Sequence, residues 1–126
     1  MRLVRASAVK EGLTLQQFGI LRLLHLRGAL QMNAFSDELR VSPPVITGIV
    51  DRLELKSLVE RKANTTDRRR TDIALTDEGE SMYRRIQSQY RRSLQESLAR
   101  SLTPEEQKTL VNLLRRFSKE IENPLI

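Results

Sequence analysis

The chain has 126 residues, enough for one domain with a modest core or for a small domain with an interaction arm. It has no cysteine and one histidine, which excludes disulfides, thiolate metal sites and a cysteine-based peroxide sensor, and leaves a histidine metal site without a second ligand. Lysine and arginine outnumber aspartate and glutamate by 22 to 16, so the net charge of +6 favours an anionic partner, nucleic acid or a membrane surface.

No apolar run approaches the roughly 20 residues that span a bilayer, and no signal peptide is evident, so a cytoplasmic protein is expected. There is no nucleophile elbow, P-loop, dinucleotide-binding glycine pattern or carboxylate cluster, so neither enzyme activity nor a cofactor or metal is expected.

Residues 1–10 have helical propensity, with Leu3, Val4, Ala8 and Val9 as apolar positions, but the segment is too short to be stable alone. Thr14 and Gln17 form a T-x-x-Q capping box for a helix that offers Phe18, Ile20, Leu21 and Leu24 to a core. Gly28 is placed to end it as a left-handed C′ residue. His25 lies on that packed helix, where partial burial is a better expectation than a ligand or pH-sensing role. Asn33 can cap a short helix over residues 34–39, packed through Phe35 and Leu39.

Ser42 can cap the next helix, whose first position is Pro43, where the missing N–H costs nothing and φ is already helical. Ile46, Ile49, Val50 and Leu53 then fall at i, i+3, i+4 and i+7, an apolar stripe. The opposite face carries Pro44, Thr47, Gly48, Asp51 and Arg52, and its small residues allow close approach to another surface. Two β-like runs follow, residues 58–61 and 71–75, joined by the basic segment KANTTDRRR. Arg61, Lys62, Arg68, Arg69 and Arg70 against Asp67 put five positive charges and one negative within ten residues. A solvated hairpin tip is the plain explanation of such a run. A hairpin beside a capped, small-faced helix is, however, suited to entering a groove, and narrow minor grooves attract inserted arginine.

Thr76 opens a long helix to about residue 100, with Met82, Ile86, Tyr90, Leu94 and Leu98 along one side and the pairs Arg84-Arg85 and Arg91-Arg92 off it on a solvated face. Thr103-Pro104-Glu105-Glu106 starts a final helix with a second capping box. Its Leu110, Leu113, Leu114, Phe117 and Ile121 make a stripe wide enough to bury against a partner. One small domain needs no such pair of terminal helices for its core, whereas a symmetric homodimer does.

The runs DRLELKSLVER, DRRRTDIALTDEG and LTPEEQKTLVNLLRRF resemble the MarR family of transcription regulators, and the resemblance extends over residues 13–117. It implies a mostly α fold with a small β-hairpin wing: a winged helix-turn-helix over residues 13–79, with dimerisation helices at 1–12 and 80–126. The first helix is shorter than is usual in the family, so either the interface is smaller or the sequence begins after the natural start. Arg40 and Ser57 stand where the family commonly has glycine, at two positions that favour φ > 0.

By this resemblance the protein is a dimeric double-stranded DNA-binding regulator, most simply a repressor, and many relatives release DNA when a small aromatic or phenolic anion binds. Ser42, Pro43, Pro44, Thr47, Gly48 and Arg52 would enter a major groove, with Thr47 meeting a thymine methyl or a phosphate and Arg52 a phosphate or guanine. In the family's D-x-R wing motif the aspartate orients the arginine that enters the minor groove, which carries over to Asp67 and Arg69. Arg40, Arg61, Lys62, Arg68 and Arg70 are the accompanying phosphate contacts or supports, and Asp51 is expected to pair with a wing arginine. Tyr83 and Tyr90 are candidates to line an effector crevice, with core packing the stronger expectation. An architectural binder, an RNA-binding winged helix and a protein-interaction module are the alternatives. The first is sorted by sequence specificity, the second by RNA competition, and the third is at odds with the retained wing arginines.

Overall fold

Capping and burial set the order of the helices in this computed structural model, which describes residues 2–122. The helices are α1 (Arg2–Lys10), α2 (Leu15–Arg27), α3 (Met32–Leu39), α4 (Pro43–Leu55), α5 (Asp77–Ser101) and α6 (Pro104–Glu122). The strands are β1 (Leu30–Gln31), β2 (Val59–Ala63) and β3 (Thr71–Leu75). Residues up to Tyr90 form one compact unit and those from Arg91 a second.

In the first unit, α2 starts at the expected capping box. The Thr14 hydroxyl accepts from the Gln17 N–H at 3.1 Å, and the Gln17 carboxamide oxygen accepts from the Thr14 N–H at 2.9 Å. Its Phe18, Ile20, Leu21, Leu23 and Leu24 are buried with Phe35 of α3 and the α4 stripe Ile46, Ile49, Val50 and Leu53. The short α1 holds its helical form by packing on α2, burying Ala8 and Ser7 while Val9 faces solvent. Gly28 takes positive φ (79°), but with ψ −164° rather than left-handed helical, a region that only glycine enters readily.

The sheet has the order β1-β3-β2, antiparallel throughout, with Leu30 opposite Ile73 and Arg61 opposite Ile73 on the other side. β1 is invisible to periodicity because it is only two residues long. Its pairing also moves the start of α3. The chain passes from strand to helix at Met32 with Gln31 at the N-cap, so Asn33 is inside the helix and does not cap it.

Arg40 (φ 53°) and Ser57 (φ 60°) both adopt the left-handed conformation where glycine is usual, at a cost of about 1–2 kcal/mol each for an L-residue. Ser57 closes α4 through its N–H to the Glu54 carbonyl, and its own carbonyl accepts from the Thr76 hydroxyl at 2.6 Å. That hydroxyl in turn accepts from the Gly79 N–H at 3.0 Å, so Thr76 caps α5 as expected.

In the second unit, α6 opens with the predicted capping box. Thr103 Oγ1 accepts from the Glu106 N–H and Glu106 Oε1 accepts from the Thr103 N–H. Those hydrogen bonds hold the Glu106 carboxyl below its ordinary value. No described residue of α6 is buried, and Leu113, Leu114, Phe117 and Ile121 are all exposed.

Candidate nucleic-acid interface

Two prolines define the start of α4. Pro43 and Pro44 occupy its first turn, and Ser42 sits at the N-cap with extended backbone, but its side chain makes no capping bond. The expected Ser42 cap is therefore not formed. Proline supplies no N–H at either of the first two positions, which leaves few donors for a cap to satisfy. Ser42, Pro43, Pro44, Thr47 and Arg52 are exposed and Gly48 is half-exposed, with nothing within 4 Å of where a Cβ would stand. The buried stripe fixes this outward face, because the same four apolar residues that anchor α4 leave 44, 47, 48, 51 and 52 on the other side. Val45, at the edge of that face, is 47% exposed.

The hairpin of β2 and β3 is strapped to α4 by one side chain. Arg61 donates from Nη2 to Asp51 Oδ1 and from Nη1 to Glu54 Oε1, both at 2.6 Å. The hydrogen bond to Asp51 does most to hold the Arg61 guanidinium even more firmly charged than usual. Asp51 thus pairs with a wing arginine, as expected. Arg61, expected among the phosphate contacts or supports, pairs with two carboxylates beside the outward face.

The tip is built by Asn64, which the sequence reading did not single out. Its Oδ1 accepts from the N–H groups of Thr66 and Asp67, both at 2.9 Å, and its Nδ2 donates to Asp72 Oδ2 at 2.9 Å. An Asn followed by polar residues between two strands was the available signal. Asp67 continues the turn, accepting from the Arg69 N–H at 3.0 Å. The aspartate therefore orients Arg69 through its backbone, and its carboxylate approaches the Arg70 guanidinium instead, at 3.7 Å. Lys62 pairs with Glu60 at 3.0 Å across an exposed surface, a contact worth little. Arg40, Arg52, Arg68 and Arg69 are exposed, and none of them forms an ion pair among the described residues.

Behind this surface, His25 stacks on Tyr83 (centroids 4.3 Å apart), Tyr83 stacks on Phe18 (5.5 Å), and His25 Nδ1 lies 2.8 Å from Glu80 Oε1. His25 is thus a packed, half-buried side chain, and no cluster of metal-ligating residues occurs among the described residues. A mostly apolar cavity of about 670 Å³ lies within the first unit, lined in part by Phe18, Arg22, Leu39, Tyr83, Gln87 and Tyr90. Tyr83 and Tyr90 both reach it, although Tyr83 is otherwise buried in the core. No described helix is long and apolar enough to cross a membrane.

A core of helices with an outward-facing helix at the end of a helix-turn-helix, flanked by a cationic hairpin, defines a winged helix-turn-helix DNA-binding fold. The relatives agree. Residues 13–71 match the model of the MarR family. The chain is 38% identical over 80 residues to the HTH-type transcriptional repressor MdtR of Bacillus subtilis, spanning 64% of this chain and only about half (52%) of that protein. It is 31% identical over 117 residues to the homoprotocatechuate degradative operon repressor of Escherichia coli, covering 93% of this chain and 78% of that one. The crystal structure of wild-type MarR from Escherichia coli superposes with a TM-score of 0.80 at 27% identity, over 92% of this chain and 85% of the other. The chain belongs to the MarR family of DNA-binding transcription regulators, which are not enzymes.

Proposed function

We propose that the protein is a cytoplasmic, sequence-specific repressor that binds double-stranded DNA as a homodimer and occludes a promoter. The observation that carries this reading is the state of the wing. Asn64 and Asp67 hold its tip in a defined turn, Arg61 straps it to α4, and Arg68 and Arg69 are left unpaired at its end. Each subunit places residues 42–52 in a major groove and residues 62–70 over a flanking minor groove, with Arg69 inserted for its charge and shape fit. Paired subunits are supported by the exposed apolar stripe of α6. The cavity lined by Tyr83, Tyr90 and Arg22 suits a small aromatic or phenolic anion whose binding releases DNA.

The test is an anisotropy titration against DNA from upstream of the protein's own coding region. With about six to ten phosphates neutralised per dimer, affinity falls roughly 10³- to 10⁵-fold between 50 and 200 mM salt. Arg69→Ala weakens binding strongly while leaving the dimer intact. A salt slope near zero, or equal affinity for the variant, contradicts the reading.

A further inference from the structure

The outward face of α4 is poor in hydrogen-bond donors. Pro43 and Pro44 remove two of the backbone N–H groups that a helix N-terminus ordinarily presents to phosphate. The Ile46 N–H is already engaged with the Ser42 carbonyl. Thr47 Oγ1 donates to the Pro43 carbonyl at 3.1 Å, so its hydroxyl proton is spent inside the helix, and what it offers a partner is its methyl and the acceptor lone pairs of its oxygen. Gly48 offers no side chain, and open space surrounds it. Val45 adds a half-exposed isopropyl group that the core does not use. Asp51, the acceptor on this face, is held by Arg61. What remains around the first two turns is Pro44, the Val45 side chain, the Thr47 methyl and bare backbone at Gly48, with the uncapped Val45 N–H, Ser42 and Arg52 as donors and the Thr47 oxygen as an acceptor.

The major-groove feature that such a surface complements is the C5-methyl of thymine, since guanine, adenine and cytosine each call for a donor or an acceptor there. We infer that α4 reads its operator chiefly through thymine methyl groups, with Val45 and Thr47 as the specificity-determining contacts and Gly48 admitting the methyl close to the helix backbone. This rests on the DNA-binding reading above and refines it. It decides between the two roles open to Thr47, and it adds Val45, whose apolar side chain gave no reason from sequence to be set among binding residues.

The experiment selects binding sites for the full chain from a random duplex library, then replaces each thymine of the selected site by deoxyuridine, which removes only the methyl. One or two thymines per half-site are expected to lose about three- to fivefold in affinity each, the transfer value of one buried methyl-sized group. Symmetric replacement in both half-sites compounds the loss. Val45→Ala or Thr47→Ser abolishes the deoxyuridine effect at one position, whereas Thr47→Val, which keeps the methyl and loses the hydroxyl, preserves it. A selected site whose thymines all tolerate deoxyuridine overturns the inference, as does one in which 7-deazaguanine under Arg52 carries the discrimination. Failure to select any sequence would instead overturn the sequence-specific reading itself, and this inference with it.

Discussion

Gly79 shows how a single missing side chain holds the wing to the long helix. A Cβ there would overlap the Leu58 carbonyl oxygen, and backbone cannot yield as a flexible side chain does. The same carbonyl accepts from the Thr76 N–H, so the start of α5 is seated directly on the turn that leads into β2. Gly79→Ala is expected to cost about 2–3 kcal/mol even after alanine's better helix propensity is credited. A thermal melt followed by circular dichroism should fall by roughly 10 °C or more, and an unchanged midpoint would refute the seating argument. One residue on, Glu80 accepts hydrogen bonds from His25 at 2.8 Å and Arg84 at 2.9 Å, which hold its carboxyl below its usual value of 4.5. A depressed carboxyl stabilises the fold above that value and ceases to do so as pH falls through the folded one. Since Glu80 is partly exposed, Glu80→Gln should lose only about 0.5 kcal/mol at neutral pH. Denaturant midpoints of the two proteins should converge as the pH is taken well below 4.5; a gap that persists there would point to packing instead.

Among the elements, α4 was the most legible and its surroundings the least. A 3.6-residue repeat of Ile46, Ile49, Val50 and Leu53 needs nothing beyond its own segment to declare a buried face, and all four are buried. The wing's strands were legible as well, because Thr71–Leu75 is bounded by a basic run and a helix cap. β1 was not, since two residues carry no period and pair with β3 only once the hairpin exists. Gln31 rather than Asn33 heads α3 for the same reason, a tertiary pairing overriding a local cap. The sequence could place Arg61 in the wing and expect Asp51 to pair with a wing arginine, but not which arginine, nor that Glu54, seven residues away, would take the other end of the guanidinium. That clamp has a consequence for binding. Arg61→Ala exposes two carboxylates beside a polyanion and loosens β2 from α4, so DNA affinity should fall about tenfold or more. Adding Asp51→Asn and Glu54→Gln to it should recover most of the loss. Because no phosphate contact is removed, the salt slope of Arg61→Ala stays near that of the parent, whereas Arg69→Ala lowers it by about 1 per site. A matching drop in slope for Arg61→Ala would mean that this arginine meets DNA directly.

At the scale of the whole molecule, the second compact unit, from Arg91 onward, has no core of its own among the described residues. α6 buries none of its described residues, and Phe117 and Ile121 are 64% and 63% exposed. Together with Leu113 and Leu114 they form a continuous apolar stripe on a helix whose capping box already fixes its start. Large apolar side chains in such an array call for a partner surface, and an isologous contact between two copies is the arrangement that would also pair two α4 helices on a two-fold operator. Replacing Leu113 and Phe117 together by glutamate should therefore yield a monomer in sedimentation velocity while the melt of the first unit is preserved. The second half-site would then have to be bound from solution rather than at the millimolar effective concentration set by a tethered partner, so operator affinity should drop by roughly 10²- to 10⁴-fold. Single half-site DNA should show almost no difference between parent and variant, which separates lost pairing from a damaged interface. If the parent itself sediments as a monomer at micromolar concentration and binds its operator as tightly as the variant does, the stripe serves some other surface and the dimeric account fails.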